Sequence, residues 1–134
     1  MRRPTILLTS AGGLTGTYLT KHLRSSHRYR IIAIDMSEWS FAKTAADAFY
    51  LVPAVNHKDY LAKIKSIIDR ENVDAIIPLT SYDIGVYSAP HFREELPDVR
   101  MLVMDYDDHI AFHNKKSCYS LLTSLGIRVP HVYG

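Results

Sequence analysis

The sequence predicts a doubly wound α/β domain with a mainly parallel five-stranded sheet and helices on both faces. Apolar runs of strand length alternate along the chain with segments whose apolar residues recur at helical spacing. The strands are apolar throughout rather than alternating, which is typical of parallel strands buried on both faces. Because right-handed crossovers join successive parallel strands, this alternation places helices on both sides of one sheet.

The first half of the chain supplies three of the predicted strands, at residues 5–9, 31–35 and 49–52. A helix over residues 14–24 follows the first strand, since Leu14, Leu19 and Leu23 fall on one face. A second helix follows the third strand, with Tyr60 and Ile64 among the residues of its apolar face. This order of elements is the repeating unit of a parallel sheet.

The second half predicts strands at residues 74–78 and 100–104 and helices at residues 83–96 and 107–125, with Pro90 interrupting the first helix. Gly126 is placed as the left-handed C-cap of the last helix. Pro130 then holds a short segment away from helical geometry. Because a new extended segment begins so close to Gly134, we expect the chain to be the N-terminal part of a larger protein. Residues 1–126 would form its first domain, and residues 127–134 would begin a linker.

Composition narrows the class of protein. A length of 134 residues is enough for one domain, and a net charge of +2 is too small to argue for a nucleic acid or an acidic membrane as partner. No apolar run approaches the ~20 residues that a membrane span needs. The single cysteine, Cys118, excludes an internal disulfide framework and suits a reducing compartment, so the expected location is the cytoplasm.

Ligands of open α/β sheets bind outside the carboxyl ends of the strands, which directs attention to residues 10–16, 35–38, 80–83 and 105–108. In the first of these loops, Gly12 and Gly13 permit a tight turn, and Gly16 permits close packing of the helix on the sheet. The dinucleotide fingerprint G-x-G-x-x-G is degraded here, because Ala11 stands where its first glycine should be. Asp35 closes the second strand, where an acid could accept a ribose hydroxyl pair.

Several interpretations of this turn stay open. The turn could be purely structural, it could bind a phosphate or carboxylate, or it could bind NAD(P) together with Asp35. Asp35 could equally cap the turn that follows it. A short-chain dehydrogenase would also need Tyr-x-x-x-Lys, and none of the nine tyrosines has a lysine four places on.

Residues 114–130 carry the most specific pattern in the chain. This segment resembles the passage by which the N-terminal domain of ATP-grasp ligases continues into the ATP-grasp domain. The residues in register with that pattern are Lys115, Tyr119, Leu122, Gly126, Ile127 and Pro130. Two features earlier in the chain also fit this resemblance: the glycine turn and the run Val73-Asp74-Ala75-Ile76-Ile77-Pro78. Within the ATP-grasp ligases, the chain looks most like the branch resembling the carbamoyl-phosphate synthase large subunit.

The resemblance implies a Rossmann-like domain of the pre-ATP-grasp type in an enzyme that joins a carboxylate to an amine, using ATP and Mg²⁺ through an acyl phosphate. Its partner would be the missing ATP-grasp domain, in the same chain or as a split subunit, and the 134 residues alone would be inactive, with no catalytic residue of their own. Lys115 would approach ATP. The residues expected to line the substrate cleft are Ser10, Gly12, Gly13, Thr15, Asp35 and Asp83.

Two departures from the family pattern stand out. Asn114 replaces the usual aspartate, which implies that the pairing made by that carboxylate is weaker or absent. Gly85 stands shortly after Asp83 where the family often has a second acid, which puts a contact between this loop and a substrate amine in doubt. Lys115 also has a plain alternative role as a solvated lysine on an exposed helical turn.

Other clusters favour ordinary structural roles. His109 and His113 have metal-ligand spacing, but Asp107 and Asp108 beside them are typical of a helix N-terminus, so no metal site is expected. The cations of residues 21–30 lie where they complement a helix dipole, and nucleic acid is not expected as a partner. The sequence leaves open whether the chain forms a homodimer. Two other function classes stay open: an NAD(P)-binding oxidoreductase or regulatory domain, and a structural module that docks a partner.

Overall fold

A computed structural model describes residues 2–131, in which five parallel strands form one sheet of order β3-β2-β1-β4-β5. The strands are β1 (Thr5–Leu8), β2 (Arg30–Asp35), β3 (Ala48–Leu51), β4 (Ala75–Ile77) and β5 (Arg100–Met101). The helices in this range are α1 (Leu14–Ser25), α2 (Ala42–Ala45), α3 (Tyr60–Glu71), α4 (Ser81–Ser88), α5 (Pro90–Glu94), α6 (Tyr106–His113) and α7 (Lys115–Ser124). The predicted fold class is confirmed. The linker expected at 127–134 lies partly outside the described residues.

The central strand β1 carries side chains into two separate cores. Leu7 packs with residues of β2 and β4 and with the helices α3, α4 and α5 on one face of the sheet. Ile6 and Leu8 pack on the other face, where Leu19 and Leu23 of α1 cover them. Successive residues of a strand point to opposite faces, so a continuously apolar strand needs a helical layer on each side.

The strand order reverses beside β1. Strands β2 and β3 lie on one side of β1, whereas β4 and β5 lie on its other side. Leu7 of β1 is therefore opposite both Ile32 of β2 and Ile76 of β4. This reversal between β1 and β4 is a topological switch point, where the loops at the carboxyl ends of the two strands diverge and leave a crevice.

The segment predicted to be helical at 83–96, with an interruption at Pro90, forms two helices. It begins earlier, at Ser81, and is divided into α4 and α5 at Ala89. Ala89 is extended (φ −60°, ψ 132°) because Pro90 disfavours helical geometry in the residue before it. Pro90 itself then occupies the first position of α5, which suits its fixed φ.

The helix predicted at 107–125 is also two helices. Asn114 adopts an extended conformation (φ −97°, ψ 124°), and its Oδ1 accepts hydrogen bonds from the backbone N–H groups of Lys116 (2.8 Å) and Ser117 (3.3 Å). Asparagine is a favoured N-cap because it satisfies otherwise free N–H groups. Asn114 therefore has a structural role of its own, as the N-cap of α7.

The end of α7 follows the prediction. Gly126 has φ +74°, and the N–H groups of Gly126 and Ile127 donate to the carbonyls of Thr123 (3.0 Å) and Leu122 (2.9 Å). These two bonds are those of a Schellman motif, which needs a residue in the left-handed region. The strand predicted at 100–104 is shorter, at Arg100–Met101, since its neighbour β4 ends before Pro78, which has no N–H for the ladder.

Candidate binding site at the carboxyl edge of the sheet

A cavity of about 430 Å³ opens at the carboxyl edge of the sheet, beside the switch point. The loops after β1, β2 and β4 and the segment after β3 enclose it. Its walls are largely apolar, with Val52, Pro53, Val55 and Tyr60 among the lining residues. The polar side chains that line it are those of Ser10, Asp35, Asn56, Thr80, Tyr82 and Asp83.

Asp83 is the most deeply placed acid of the cavity, with 2% of its surface exposed. Its Oδ2 accepts a hydrogen bond from the Thr9 hydroxyl at 2.7 Å, and Thr9 is itself fully buried at the end of β1. The backbone N–H of Asp83 donates to Oγ1 of Thr80 at 3.1 Å, which caps α4. The carboxylate is therefore held between the ends of β1 and β4.

Asp35 holds the glycine turn in place. Its Oδ2 accepts a hydrogen bond from the N–H of Gly12 at 2.6 Å, and its Oδ1 accepts one from the N–H of Ser37 at 2.9 Å. The second bond is the capping role that the sequence left open as an alternative. Both carboxylate oxygens are thus engaged by backbone donors, while the side chain still lines the cavity.

Ser10 has a left-handed backbone, with φ +47°. The residues on either side of it are anchored, since the N–H of Thr9 donates to the Ile77 carbonyl (3.3 Å) and that of Ala11 to the Ile34 carbonyl (3.0 Å). A non-glycine residue in this region costs on the order of 1 kcal/mol and persists only where its surroundings hold it. Strain is therefore stored at the cavity wall.

The glycines of the turn have different roles. A β-carbon on Gly16 would lie 2.4 Å from the carbonyl oxygen of Ala11, so only glycine fits there. A β-carbon on Gly12 would lie 2.6 Å from Oδ2 of Asp35, whereas one on Gly13 would meet nothing within 4 Å. Gly12 is thus tied to the cavity through Asp35, and Gly13 is the exposed N-cap of α1.

The structure brings together some of the residues predicted for the cleft. Ser10, Asp35 and Asp83 line one cavity. Gly13 and Thr15 are exposed at the start of α1 and are not among the lining residues. Lys115 is the exposed first residue of α7, also outside the cavity lining.

Sequence reasoning missed a buried tyrosine pair beneath the cavity. The hydroxyls of Tyr60 and Tyr87 lie 2.9 Å apart. Burial raises the pKa of Tyr60, although the hydrogen bond to Tyr87 lowers it in part, and burial also raises the pKa of Tyr87. Both phenols are therefore protonated at neutral pH. The two tyrosines lie 27 positions apart in the sequence, so no local pattern signalled their pairing.

The cations of residues 21–30 lie at the opposite, amino edge of the sheet. There Arg24 pairs with Asp47 at 3.1 Å, and Arg30 pairs with Glu71. In the described part of the chain, no three His, Cys, Asp or Glu residues converge as they would around a metal ion. Within residues 2–131 no helix has the length and apolar character to cross a membrane.

The chain is similar to known proteins along most of its length. The family model described as the PylC-like N-terminal domain matches residues 6–102. No curated protein matches the chain.

Solved structures share the fold. N5-carboxyaminoimidazole ribonucleotide synthetase from Thermotoga maritima is 15% identical with a TM-score of 0.67, over 96% of this chain and 32% of that one. The biotin carboxylase domain of a single-chain bacterial carboxylase is 17% identical with a TM-score of 0.62, over 98% of this chain and 31% of that one. The chain thus spans about a third of the length of these two structures. A dTDP-glucose 4,6-dehydratase from Bacillus anthracis in complex with NAD is 18% identical with a TM-score of 0.50, over 73% of this chain and 36% of that one.

Proposed function

The chain belongs to the family of PylC-like N-terminal domains, and from that premise we propose that it is the substrate-cleft domain of an ATP-dependent carboxylate–amine ligase. The observation that carries the proposal is the cavity at the switch point, which Ser10, Asp35 and Asp83 line. Sheets of this type bind their ligands at that edge. The domain would supply one wall of the cleft, and an ATP-grasp domain would supply the other.

The reaction of such a ligase has two steps. The γ-phosphoryl group of ATP is transferred to a carboxylate oxygen, which releases ADP and forms an acyl phosphate. The amine substrate loses a proton if it is bound as ammonium, and its neutral nitrogen then attacks the acyl carbon. The bond between that carbon and the phosphate oxygen breaks, phosphate leaves with the electron pair, and the nitrogen loses a further proton to give the amide. Lys115, the exposed first residue of α7, would approach the ATP phosphates. ATP and Mg²⁺ would be held mainly by the ATP-grasp domain, where the metal supplies positive charge for phosphoryl transfer.

Exposed apolar side chains support the docking of a further domain beside α6 and α7. Leu125 is 65% exposed and Ile127 is 50% exposed, and Ile110 and Phe112 of α6 are also exposed. Helix α7 has no buried residue. Apolar surface of this kind marks an interaction site. We place the complete enzyme in the cytoplasm and propose the ATP-grasp domain, rather than a second copy of the chain, as the occupant of this surface.

The proposal is tested by reconstitution. The 134-residue chain is combined with the ATP-grasp domain encoded with it, on the same or on a separate reading frame, and amine-dependent release of phosphate from ATP is measured. We expect release from the combination and none from the 134-residue chain. ATP turnover by the chain alone, or an inactive combination across a panel of carboxylates and amines, would contradict the proposal.

An NAD(P)-binding domain is the second candidate, and the likeness to the NAD-bound dehydratase is the observation in its favour. Two features weigh against it. Ala11 stands at the first glycine of the fingerprint, and both oxygens of Asp35 already accept backbone hydrogen bonds. Calorimetric titration with NADH and NADPH separates the candidates, because micromolar binding of either would favour the dinucleotide function.

A further inference from the structure

We propose that the cavity beside the switch point receives the amine substrate in its ammonium form, with Asp83 and Asp35 supplying the negative charge that holds it. The inference rests on the proposed function and deepens it, since it assigns one of the two co-substrates to this domain. The carboxylate substrate and the nucleotide would then bind on the side of the ATP-grasp domain.

The first argument is the missing counter-charge of Asp83. Asp83 is 2% exposed, and within residues 2–131 neither Asp83 nor Asp35 has a cationic group within 4 Å. A buried carboxylate is costly unless it is paired. The Thr9 hydroxyl and the N-terminus of α4 offset part of that cost for Asp83. A cation bound in the cavity would offset the remaining cost of burying the Asp83 carboxylate.

The second argument is the sign of the charge around the cavity. In the described part of the chain its lining includes two carboxylates and no lysine or arginine. Arg24 and Arg30 pair with acids at the other edge of the sheet. A carboxylate or phosphate ligand would enter beside two like charges, and like charges at a short distance repel strongly where water is excluded. The cavity therefore discriminates against anions.

The third argument is shape. Val52, Pro53, Val55 and Tyr60 present apolar surface next to the carboxylates. Ligand cavities of a few hundred cubic ångströms with apolar walls and a few polar groups bind small molecules. A ligand with an ammonium group on an aliphatic or cyclic hydrocarbon body would complement both the carboxylates and the apolar walls of this cavity. The amine substrate would place its charge toward Asp83 and its body against these walls.

The test compares two probes of similar size whose polar ends carry opposite charges. The ¹⁵N-labelled chain is titrated with n-pentylamine hydrochloride or with sodium pentanoate at pH 7, and amide shifts are followed by NMR. We expect pentylamine to shift the amides around the cavity and to bind at least about tenfold more tightly than pentanoate. Equal or tighter binding of pentanoate, or amine shifts located away from the cavity, would overturn the inference.

Variants locate the interaction. Asp83→Asn should weaken pentylamine binding at least about tenfold, and its folded spectrum must be checked because Asp83 is buried. Asn56→Lys adds a cation at the exposed rim and keeps the buried contacts. It should also weaken the amine, whereas Ser66→Lys, which adds the same charge on an exposed position of α3 outside the cavity, should not. Identical amine affinities in the two lysine variants would overturn the inference.

The two proposals fail separately. Phosphate release by the reconstituted enzyme, with pentanoate preferred by the cavity, would overturn the amine assignment and leave the ligase function in place. Selective amine binding by the 134-residue chain, with no ligase activity in any combination, would overturn the ligase function and leave the charge preference of the cavity established.

Discussion

The imidazole of His109 lies directly against the backbone of Gly85, so that a β-carbon added to Gly85 would lie 2.7 Å from Nε2. His109 is 7% exposed, and this contact joins α6 to α4. A second acid at this position, as in the resembled family, would have no room beside the ring. The packing of α6 therefore explains why glycine stands at position 85 of α4, two residues after Asp83.

Gly85→Ala should destabilise the domain by about 1 kcal/mol, although alanine is favoured over glycine inside a helix by about the same amount. The loss comes from displacing the His109 ring. In a His109→Ala background the same change should instead stabilise the fold by about 0.5–1 kcal/mol. Urea unfolding of the four chains measures both values. An effect of the same sign in both backgrounds would show that the ring is not the obstacle.

The glycine turn offers a matched pair of substitutions. Gly12→Ser should cost about 2 kcal/mol, since its β-carbon would lie 2.6 Å from Oδ2 of Asp35, which backbone bonds hold in place. Gly13→Ser should change stability by less than about 0.5 kcal/mol, because its φ is −76° and serine is a favoured N-cap. Thermal unfolding compares the two. Equal losses would refute the close approach of Gly12 to Asp35.

The fold could be predicted from local patterns, because apolar strands and helical spacing are properties of short segments. The same holds for the Schellman turn at Gly126. Of the two divisions between helices, the one at Ala89 was predicted from Pro90, and the one at Asn114 was not. Pro90 indicated the first break, and an asparagine within a long helical pattern was a weaker sign of the second.

The candidate site was only partly predictable. Ser10, Asp35 and Asp83 follow strands whose carboxyl ends share one edge, so their proximity follows from topology. The bond between Tyr60 and Tyr87 and the contact of His109 with Gly85 join residues far apart in the sequence. Contacts of that kind depend on how helices pack, which no local pattern encodes.

The stability of the domain should depend on pH through His109. Burial, with a smaller contribution from His113, lowers the pKa of His109 below its ordinary value of 6.5. Between that lowered pKa and about 6.5 the unfolded chain binds more protons than the folded chain, so stability rises with pH in this window and is fully present above it. His109→Gln should reduce the increase of the unfolding free energy with pH, whereas His91→Gln at an exposed position should not. Urea unfolding between pH 5 and 8 provides the measurement, and an unchanged slope in His109→Gln would contradict the assignment.

Asn114→Ala should loosen α7, because two backbone N–H groups lose their acceptor. The expected loss is about 1 kcal/mol. Since α7 has no buried residue, the loss should appear as local opening rather than as global unfolding. Asn114→Asp should retain the cap. Amide hydrogen exchange within α7 measures the effect, and faster exchange spread evenly over the sheet would argue against a local role.

The sheet separates the packing of the apolar cavity wall from the packing beneath the glycine turn. Val52 and Tyr60 belong to the layer with α3, whereas Ala11 in the glycine turn belongs to the layer with α1. Substitutions that reshape the apolar wall are absorbed on one side of the sheet and leave the packing beneath the turn intact. Ligand preference can therefore diverge among relatives while the turn keeps its geometry, which makes the α3 layer the part of the domain to redesign for a new ligand.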